Sequence, residues 1–444
     1  MRVLFQRNSN CSSHFKLALT GKMKFENSPA FAKKLDREDE LKSFRSKFHL
    51  PKVNGKTAIY FTGNSLGLQP KSTKKMVDEE LEDWAKLGVE GHIDSRRPWL
   101  YYHKFAKKAL AQIVGAKATE VVAMNQLTVN LHLMMVSFFK PTKDRFKIIT
   151  EHGAFPSDQY AVESQLKFHG LHPNEALIEI KPRAGEATLR TEDILKAIQD
   201  HQHQLALVIF GGVQYYTGQL FDIKKITEAT HQAGAFAGFD LAHAIGNVPL
   251  NLHRDGVDFA VWCSYKYLNS APGGIAGAFV HERHASNFDL PRFAGWWGHN
   301  ESERFQMKKG FKPMTGADGW QLSNFPILSG AAHLASLEIF QEAGIKNLRK
   351  KSELLTGYLE FLLNEADPKH KTFELLTPAS AKERGCQLSL FMKKNGKKIF
   401  QKLTKGGVIA DWREPDVIRV APVPLYNTFE EVYRFAEIFR KAVV

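Results

Sequence analysis

The chain has few cysteines, no long apolar run and no acidic residue before Glu26, and each absence narrows what it can be. Three cysteines (Cys11, Cys263 and Cys386) in 444 residues cannot build a disulfide framework, which points to a reducing, cytoplasmic setting. No apolar stretch approaches the roughly 18 residues a membrane span needs, so no membrane partner is expected. A net charge of +14 invites nucleic acid. Yet the lysines are spread along the chain, pairs such as Lys33-Lys34 and Lys74-Lys75 lie near acids, and no helix-turn-helix, finger or aromatic RNA-binding signature accompanies them. A solvated surface that attracts small anions is the better expectation, with no nucleic-acid partner.

What is present is ordinary for a globular protein: 43% hydrophobic and 24% charged residues in 50.2 kDa, enough for a large core. Residues 1–22 carry Arg2, Arg7, Lys16 and Lys22 without an acid, a composition that fits a transit peptide. They lack an amphipathic pattern, so a start assigned too early, with Met23 the true beginning, or a disordered extension is preferred.

From Ser72 to Val280 helical and strand patterns alternate. Ser72 to Leu87 reads as an amphipathic helix with Met76, Leu81, Trp84 and Leu87 inward and Gly88 past its end. Seven short apolar runs follow: Val121–Met124, Phe146–Ile149, Leu177–Ile180, Leu205–Phe210, Phe236–Phe239, Phe259–Trp262 and Ile275–Val280. Helical segments between several of them imply an α/β fold with a mostly parallel seven-stranded sheet covered on both faces. Beyond Gly310 the pattern changes to long helices (Leu328–Glu342 and Asn347–Glu365), strands at Gln387–Met392 and Val417–Val420, and a last helix at Thr428–Ala442. The expected division is a joining segment at 23–60, a large domain at 61–310 and a smaller α+β domain at 311–444.

Ligands of such sheets sit at the carboxyl ends of the strands, and the chemistry-bearing residues gather there. Lys266 lies between Tyr265 and Tyr267, after the run Phe259–Trp262 and before Gly273, Gly274 and Gly277. This placement suits an amine that forms a Schiff base, with burial expected to depress its pKa and make it nucleophilic. Asp240 ends the preceding strand, where its carboxylate would keep a pyridine nitrogen protonated; the alternative is a helix cap. Together the two point to pyridoxal 5'-phosphate, with His243 either stacking on the ring, tying Asp240 into a hydrogen-bond network or simply a satisfied polar residue. The start of the helix at Leu127 and Thr128 could cradle its phosphate, or Thr128 could be a plain cap; Ser264 and Tyr265 offer two more hydroxyls. Phe155 could stack on the ring and Asp158 could bond it. Arg419, inside an apolar strand, suits either a bidentate grip on an α-carboxylate or a structural ion pair. No metal site is expected.

Five segments resemble the kynureninase family: Tyr60-Phe61-Thr62-Gly63-Asn64-Ser65-Leu66-Gly67-Leu68-Gln69-Pro70, Phe239-Asp240-Leu241-Ala242-His243, Trp262-Cys263-Ser264-Tyr265-Lys266-Tyr267-Leu268-Asn269, Gly295-Trp296-Trp297-Gly298-His299 and Arg419-Val420-Ala421-Pro422-Val423-Pro424-Leu425-Tyr426-Asn427. The resemblance runs from Ala58 to the C-terminus. It implies a homodimeric fold-type-I pyridoxal-phosphate enzyme that hydrolyses L-kynurenine or 3-hydroxy-L-kynurenine to an anthranilate and L-alanine, in tryptophan degradation and NAD biosynthesis. By resemblance Lys266 holds the cofactor, Asp240 faces its ring nitrogen, and Leu127, Thr128, Phe155, Pro156, Ser157, Asp158, His243 and Tyr265 surround it. Trp296 would reach the phosphate site of the other subunit, Asn324 would serve both cofactor and substrate, and Arg419 would hold the substrate carboxylate. Ser65, His92 and Asn324 match positions around the aromatic end, the last two in the version that favours the 3-hydroxylated substrate. Gly211 departs from relatives that carry a hydroxyl there, so a modest loss of cofactor contact is expected. In this scheme Lys266 is the base and Tyr265 the proton relay.

Two rivals differ in chemistry. A cysteine desulfurase needs a nucleophilic cysteine on a mobile loop, and Cys386 is the one candidate, although Leu388, Leu390 and Met392 alternate directly after it like a strand. A basic nucleic-acid-binding protein would carry no cofactor at all.

Overall fold

The computed structural model describes residues 24–443, so the basic extension lies outside the described residues. Seven strands form one sheet: β1 (Val121–Ala123), β2 (Lys147–Glu151), β3 (Leu177–Ile180), β4 (Leu205–Gly211), β5 (Phe236–Asp240), β6 (Phe259–Trp262) and β7 (Gly277–Val280). Their order across the sheet is β1-β7-β6-β5-β4-β2-β3, and only β7 runs antiparallel to its neighbours. The apolar runs are continuous because both faces are covered. Along β4, Val208 and Phe210 enter one hydrophobic core while Leu207 and Ile209 enter the other.

Parallel pairing sets the site. Gly211 is paired with Asp240, and Thr150 with Ile209, so the carboxyl ends of β2, β4 and β5 leave Glu151, Gly211 and Asp240 together at one edge. The next strand, β6, ends at Trp262 and hands the chain to Lys266 beside them.

A second sheet is antiparallel: β8 (Phe373–Leu375), β9 (Leu388–Met392), β10 (Asp411–Arg413) and β11 (Val417–Val420), in the order β8-β9-β11-β10. Its own core includes helix α1 (Pro29–Glu38), which buries Phe31, Ala32 and Leu35. Ser28 starts that helix by accepting the Phe31 N–H at 3.2 Å, with Pro29 in the first turn where its missing N–H costs nothing. The N-terminal segment is tied in a second time where Ile59–Tyr60 pairs in parallel with Val408–Ile409.

Two expectations are corrected. Helix α2 (Ser72–Leu87) ends at Gly88, in a positive-φ conformation, but its apolar residues do not all face inward. Leu81 and Trp84 are 40% and 62% exposed, whereas Glu80 and Asp83 are buried. The acids win the inner face because it meets donors: Glu80 accepts from Arg97 Nε at 2.6 Å, Trp99 Nε1 at 2.9 Å and the Tyr102 hydroxyl at 2.9 Å, and Asp83 accepts the Arg96 N–H at 2.9 Å. Periodicity counts apolar residues and is blind to a buried acid that its partners satisfy. Secondly, helix α3 (Ile327–Ala343) begins well past residue 310 yet packs into the larger core, with Ala331, Leu334, Ala335 and Phe340 buried. Apolar on every side, it suits a core between layers better than the flank of a small sheet.

Replacing Glu80 with Ala leaves Arg97, Trp99 and Tyr102 without their acceptor. The expected loss is about 3 kcal/mol, read as a lower midpoint of urea unfolding, and a change below about 1 kcal/mol would contradict the account.

Candidate active site

The ends of β2, β4 and β5, the loop after β6 and the starts of two helices line a cleft. It brings together ten of the residues singled out from sequence: Leu127, Thr128, Phe155, Ser157, Asp158, Gly211, Asp240, His243, Tyr265 and Lys266. The structure adds Glu151, Val213, Tyr215 and Ala242, which sequence reasoning missed.

Lys266 is held by its own loop. The Tyr265 carbonyl accepts the Gly67 N–H at 2.9 Å, and the Lys266 carbonyl accepts the Asn269 N–H at 3.0 Å. A Cβ on residue 67 would run into the Lys266 carbonyl and the Asn269 side chain, so only glycine admits this approach. The amine points between rings, with its nitrogen 5.4 Å from the Tyr265 centroid and 5.8 Å from that of Phe155. Its pKa is raised, contrary to expectation. Burial does press it down, but Cys263, Tyr265 and Asp240 together more than offset that. Burial pushes the thiol of Cys263, three positions back, up in turn.

Acids form the floor. Asp240 accepts the Ala242 N–H at 2.7 Å and lies against Asp158. Burial raises both carboxyl groups; the hydrogen bond from Asp158 and the charge of Lys266 pull Asp240 back, while the charge of Asp240 pushes Asp158 well up. One proton on Asp158, donated to an ionised Asp240, satisfies the pair. Glu151 is a third buried acid. Burial pushes its carboxyl up to about 7, against the pull of the Gly211 N–H, which it accepts at 2.8 Å. Gly211 leaves the space that this carboxylate uses: a Cβ there would sit 3.1 Å from Glu151 Oε1.

The opposite end offers donors. Helix α4 (Leu127–Phe138) begins at Gln126 with no side chain capping its first N–H groups. The Thr128 and Ser157 hydroxyls meet at 2.7 Å above them. Ser264 Oγ, fully buried next to the lysine loop, has no partner, and neither do Asp158 Oδ1 and His243 Nδ1. The Thr128 alternative of a plain cap is not what forms. An amine, a carboxylate beneath it, unspent N–H groups and hydroxyls opposite, and orphaned buried polar atoms between them form a donor set that fits a phosphorylated pyridine aldehyde.

Further along the cleft, burial holds the His243 imidazole well below its ordinary pKa, with Lys266 next and Arg419 and Arg413 adding to it, so the ring is neutral. Arg419 lies on β11, fully buried. Its Nη1 donates to the Tyr215 carbonyl at 2.6 Å and its Nη2 lies 2.8 Å from Asp411 Oδ2, so it does form the ion pair weighed from sequence. The ring of Tyr215 packs edge-on against Phe155 at 5.2 Å between centroids, which ties the arginine to the cleft.

Other expected residues stand apart from the cleft within one chain. Pro156 sits at the first turn of the helix Pro156–Phe168 and turns Ser157 and Asp158 inward. Ser65 is half-buried two residues before Gly67. The His92 ring packs edge-on against Trp99, and Asn324 is exposed. Trp296 is 46% exposed and lines a separate hollow with Arg304 and Phe311.

Cys386 gives the desulfurase rival no nucleophile. It is buried, its N–H donates to Asn247 Oδ1 at 2.9 Å, and burial pushes its thiol up to about 12.

Residues 348–439 match the family model described as the kynureninase C-terminal domain. Over 423 residues the chain is 57% identical to a kynureninase of Flavobacterium psychrophilum, covering 95% of this chain and 100% of that protein. It is 49% identical to a kynureninase of Nematostella vectensis, covering 93% of each. Among solved structures, a cysteine desulfurase of Escherichia coli superposes with a TM-score of 0.73 at 14% identity, over 91% of this chain and 98% of that one. That likeness speaks for the fold alone.

The raised Glu151 carboxyl predicts a pH dependence. Its pKa rises from an ordinary 4.5 to about 7 on folding, so its contribution to stability is full below pH 4.5 and is lost as pH climbs through 7. Measured by urea unfolding of the cofactor-free protein, the wild type should lose about 3 kcal/mol relative to Glu151→Gln between pH 4.5 and 8. A pH-independent difference between the two proteins would refute the shift.

Proposed function

The chain belongs to the kynureninase family, and from that premise we propose how its residues divide the work of cleaving the Cβ–Cγ bond of L-kynurenine and 3-hydroxy-L-kynurenine by hydrolysis. The observation that carries the division is half-buried Lys266 and buried Asp240 at adjoining strand ends in one cleft, with helix N–H groups opposite. Pyridoxal phosphate, when bound, supplies an aldehyde for an amine and an aromatic ring that accepts an electron pair from Cα.

Lys266 would hold that group through its amine, and the same amine would serve as the base that takes the substrate Cα proton. Asp240 would face the ring nitrogen, with Asp158 donating its own proton to the Asp240 carboxylate. The first N–H groups of α4 with Thr128 and Ser157 hold the phosphate. Phe155 and neutral His243 would flank the ring, and a neutral imidazole adds no second positive charge to the cleft that holds Lys266. Arg419 takes the α-carboxylate. Water adds to the γ-carbonyl, the Cβ–Cγ bond breaks, and the anthranilate leaves. Tyr265 passes the proton that Cβ receives, so that kynurenine and water become anthranilate and L-alanine. Its phenol pKa is raised, by burial first, which keeps it a proton donor at neutral pH.

We place the enzyme in the cytoplasm and read it as a homodimer in which Trp296 reaches the phosphate end of the other subunit's cleft. Exposure of large apolar side chains supports the dimer: Trp84, Val89, Ile93, Tyr101 and Phe105 on one region, Trp296, Phe305 and Met307 on another. No helix among the described residues is long and apolar enough to cross a membrane. His92 and Asn324 would then meet the aromatic end of the substrate and favour its 3-hydroxylated form.

Lys266→Ala should lose the borohydride-trappable link to pyridoxal phosphate and on the order of a thousandfold or more in kcat; a trapped adduct in the variant would sink the assignment. The wild type should turn over 3-hydroxykynurenine with the higher kcat/KM, and a His92→Phe, Asn324→Leu double variant should lower that preference about tenfold. An unaltered ratio would remove both residues from substrate recognition.

A further inference from the structure

We infer that Arg413 is a second cation of the subsite that takes the substrate carboxylate, joined to Arg419 through the carboxylate of Asp411 between them. The inference rests on the reading of Arg419 as the carboxylate-holding residue and extends it to two neighbours on β10.

Register puts them there. In the antiparallel pair β10–β11, Asp411 stands directly opposite Arg419 and Arg413 opposite Val417. Residues two apart on a strand share a face, so Arg413 and Asp411 project to the same side. The carboxylate is shared between the two guanidinium groups. Asp411 Oδ1 is 2.9 Å from Arg413 Nε and 3.3 Å from Arg419 Nε, while Oδ2 is 2.8 Å from Arg419 Nη2 and 3.3 Å from Arg413 Nη2.

Charge counting then decides the function. Arg419 with Asp411 alone would be a neutral pair, and an entering carboxylate would meet the Asp411 charge with no net attraction to offset it. Two arginines around one carboxylate leave one positive charge in excess. That excess is available where it is needed. Arg419 Nη2 lies 2.8 Å from Asp411 Oδ2 on a side chain 1% exposed, so the shared carboxylate and this cation meet where water is largely excluded. A desolvated arginine with surplus positive charge beside it is what an entering carboxylate completes.

The charge of Arg413 also reaches the cleft, although its own side chain is 36% exposed. It acts with Arg419 to hold the His243 imidazole down, and it opposes the burial that raises the Tyr215 phenol. A merely structural Arg413 would staple Asp411 to the strand and affect every ligand alike. As a subsite cation it acts only on ligands that carry the carboxylate.

The test compares L-alanine with kynuramine, the amino ketone that lacks the substrate carboxylate, each titrated into the holoenzyme and followed by the cofactor absorbance. Arg413→Gln should weaken L-alanine about tenfold and kynuramine less than about twofold, and Arg413→Lys should restore most of the loss. Equal weakening of both ligands, or of neither, overturns the inference. Arg419→Gln is the control: if it too fails to discriminate between the ligands, the reading of Arg419 falls; if it discriminates and Arg413→Gln does not, only the present inference falls.

Discussion

Asp240 and Lys266 are held one strand apart in a desolvated cleft, and opposite charges in such a place survive only in each other's company. Most of the molecule can be understood as the means of keeping them there. Parallel pairing brings the carboxyl ends of β2, β4 and β5 to one edge, and two apolar cores keep water from the sheet beneath. The loop that carries Lys266 is pressed home by Gly67, whose missing side chain lets one backbone lie on another. Without burial the acids would be ordinary carboxylates and the amine an ordinary lysine.

The cost of that burial is shared out among neighbours. Three acids and one amine cannot all be ionised, so Asp158 and Glu151 are driven toward their protonated forms while Asp240 keeps its charge. His243 is driven the other way and stays neutral. At the far side the same logic runs with signs reversed, where Asp411 offsets two arginines and leaves one charge uncancelled. Each end of the cleft thus carries an electrostatic bias before any ligand arrives.

The groups that sequence made legible are those whose neighbours along the chain betray them. Asp240 and Lys266 each follow a short apolar run, so a strand end could be read off directly, and Thr128 follows one at the start of a helix. Glu151 also ends a strand but was passed over, because nothing in Thr150-Glu151-His152 says that Gly211, sixty residues on, withholds a side chain to make room for it. Tyr215 was missed because it acts through its carbonyl, which every residue possesses. Leu81 and Trp84 were misassigned to the core because an amphipathic count cannot see that Glu80 has three donors waiting on Arg97, Trp99 and Tyr102.

Local pattern alone was therefore enough for the α/β class, for the strand ends at which Asp240 and Lys266 gather and, through five extended segments of resemblance, for the family. Those features depend on residues close in sequence: a run of apolar side chains, a cap, a lysine after a strand. Whether a carboxyl is ionised, whether an arginine has charge to spare and whether a lysine's pKa moves up or down were decided only by the fold. These quantities are sums over charges and solvent within a few ångströms, and the groups that enter them, Glu151 with Asp240, Arg413 with Arg419 across the turn, His243 with Lys266, meet only when the sheets are assembled.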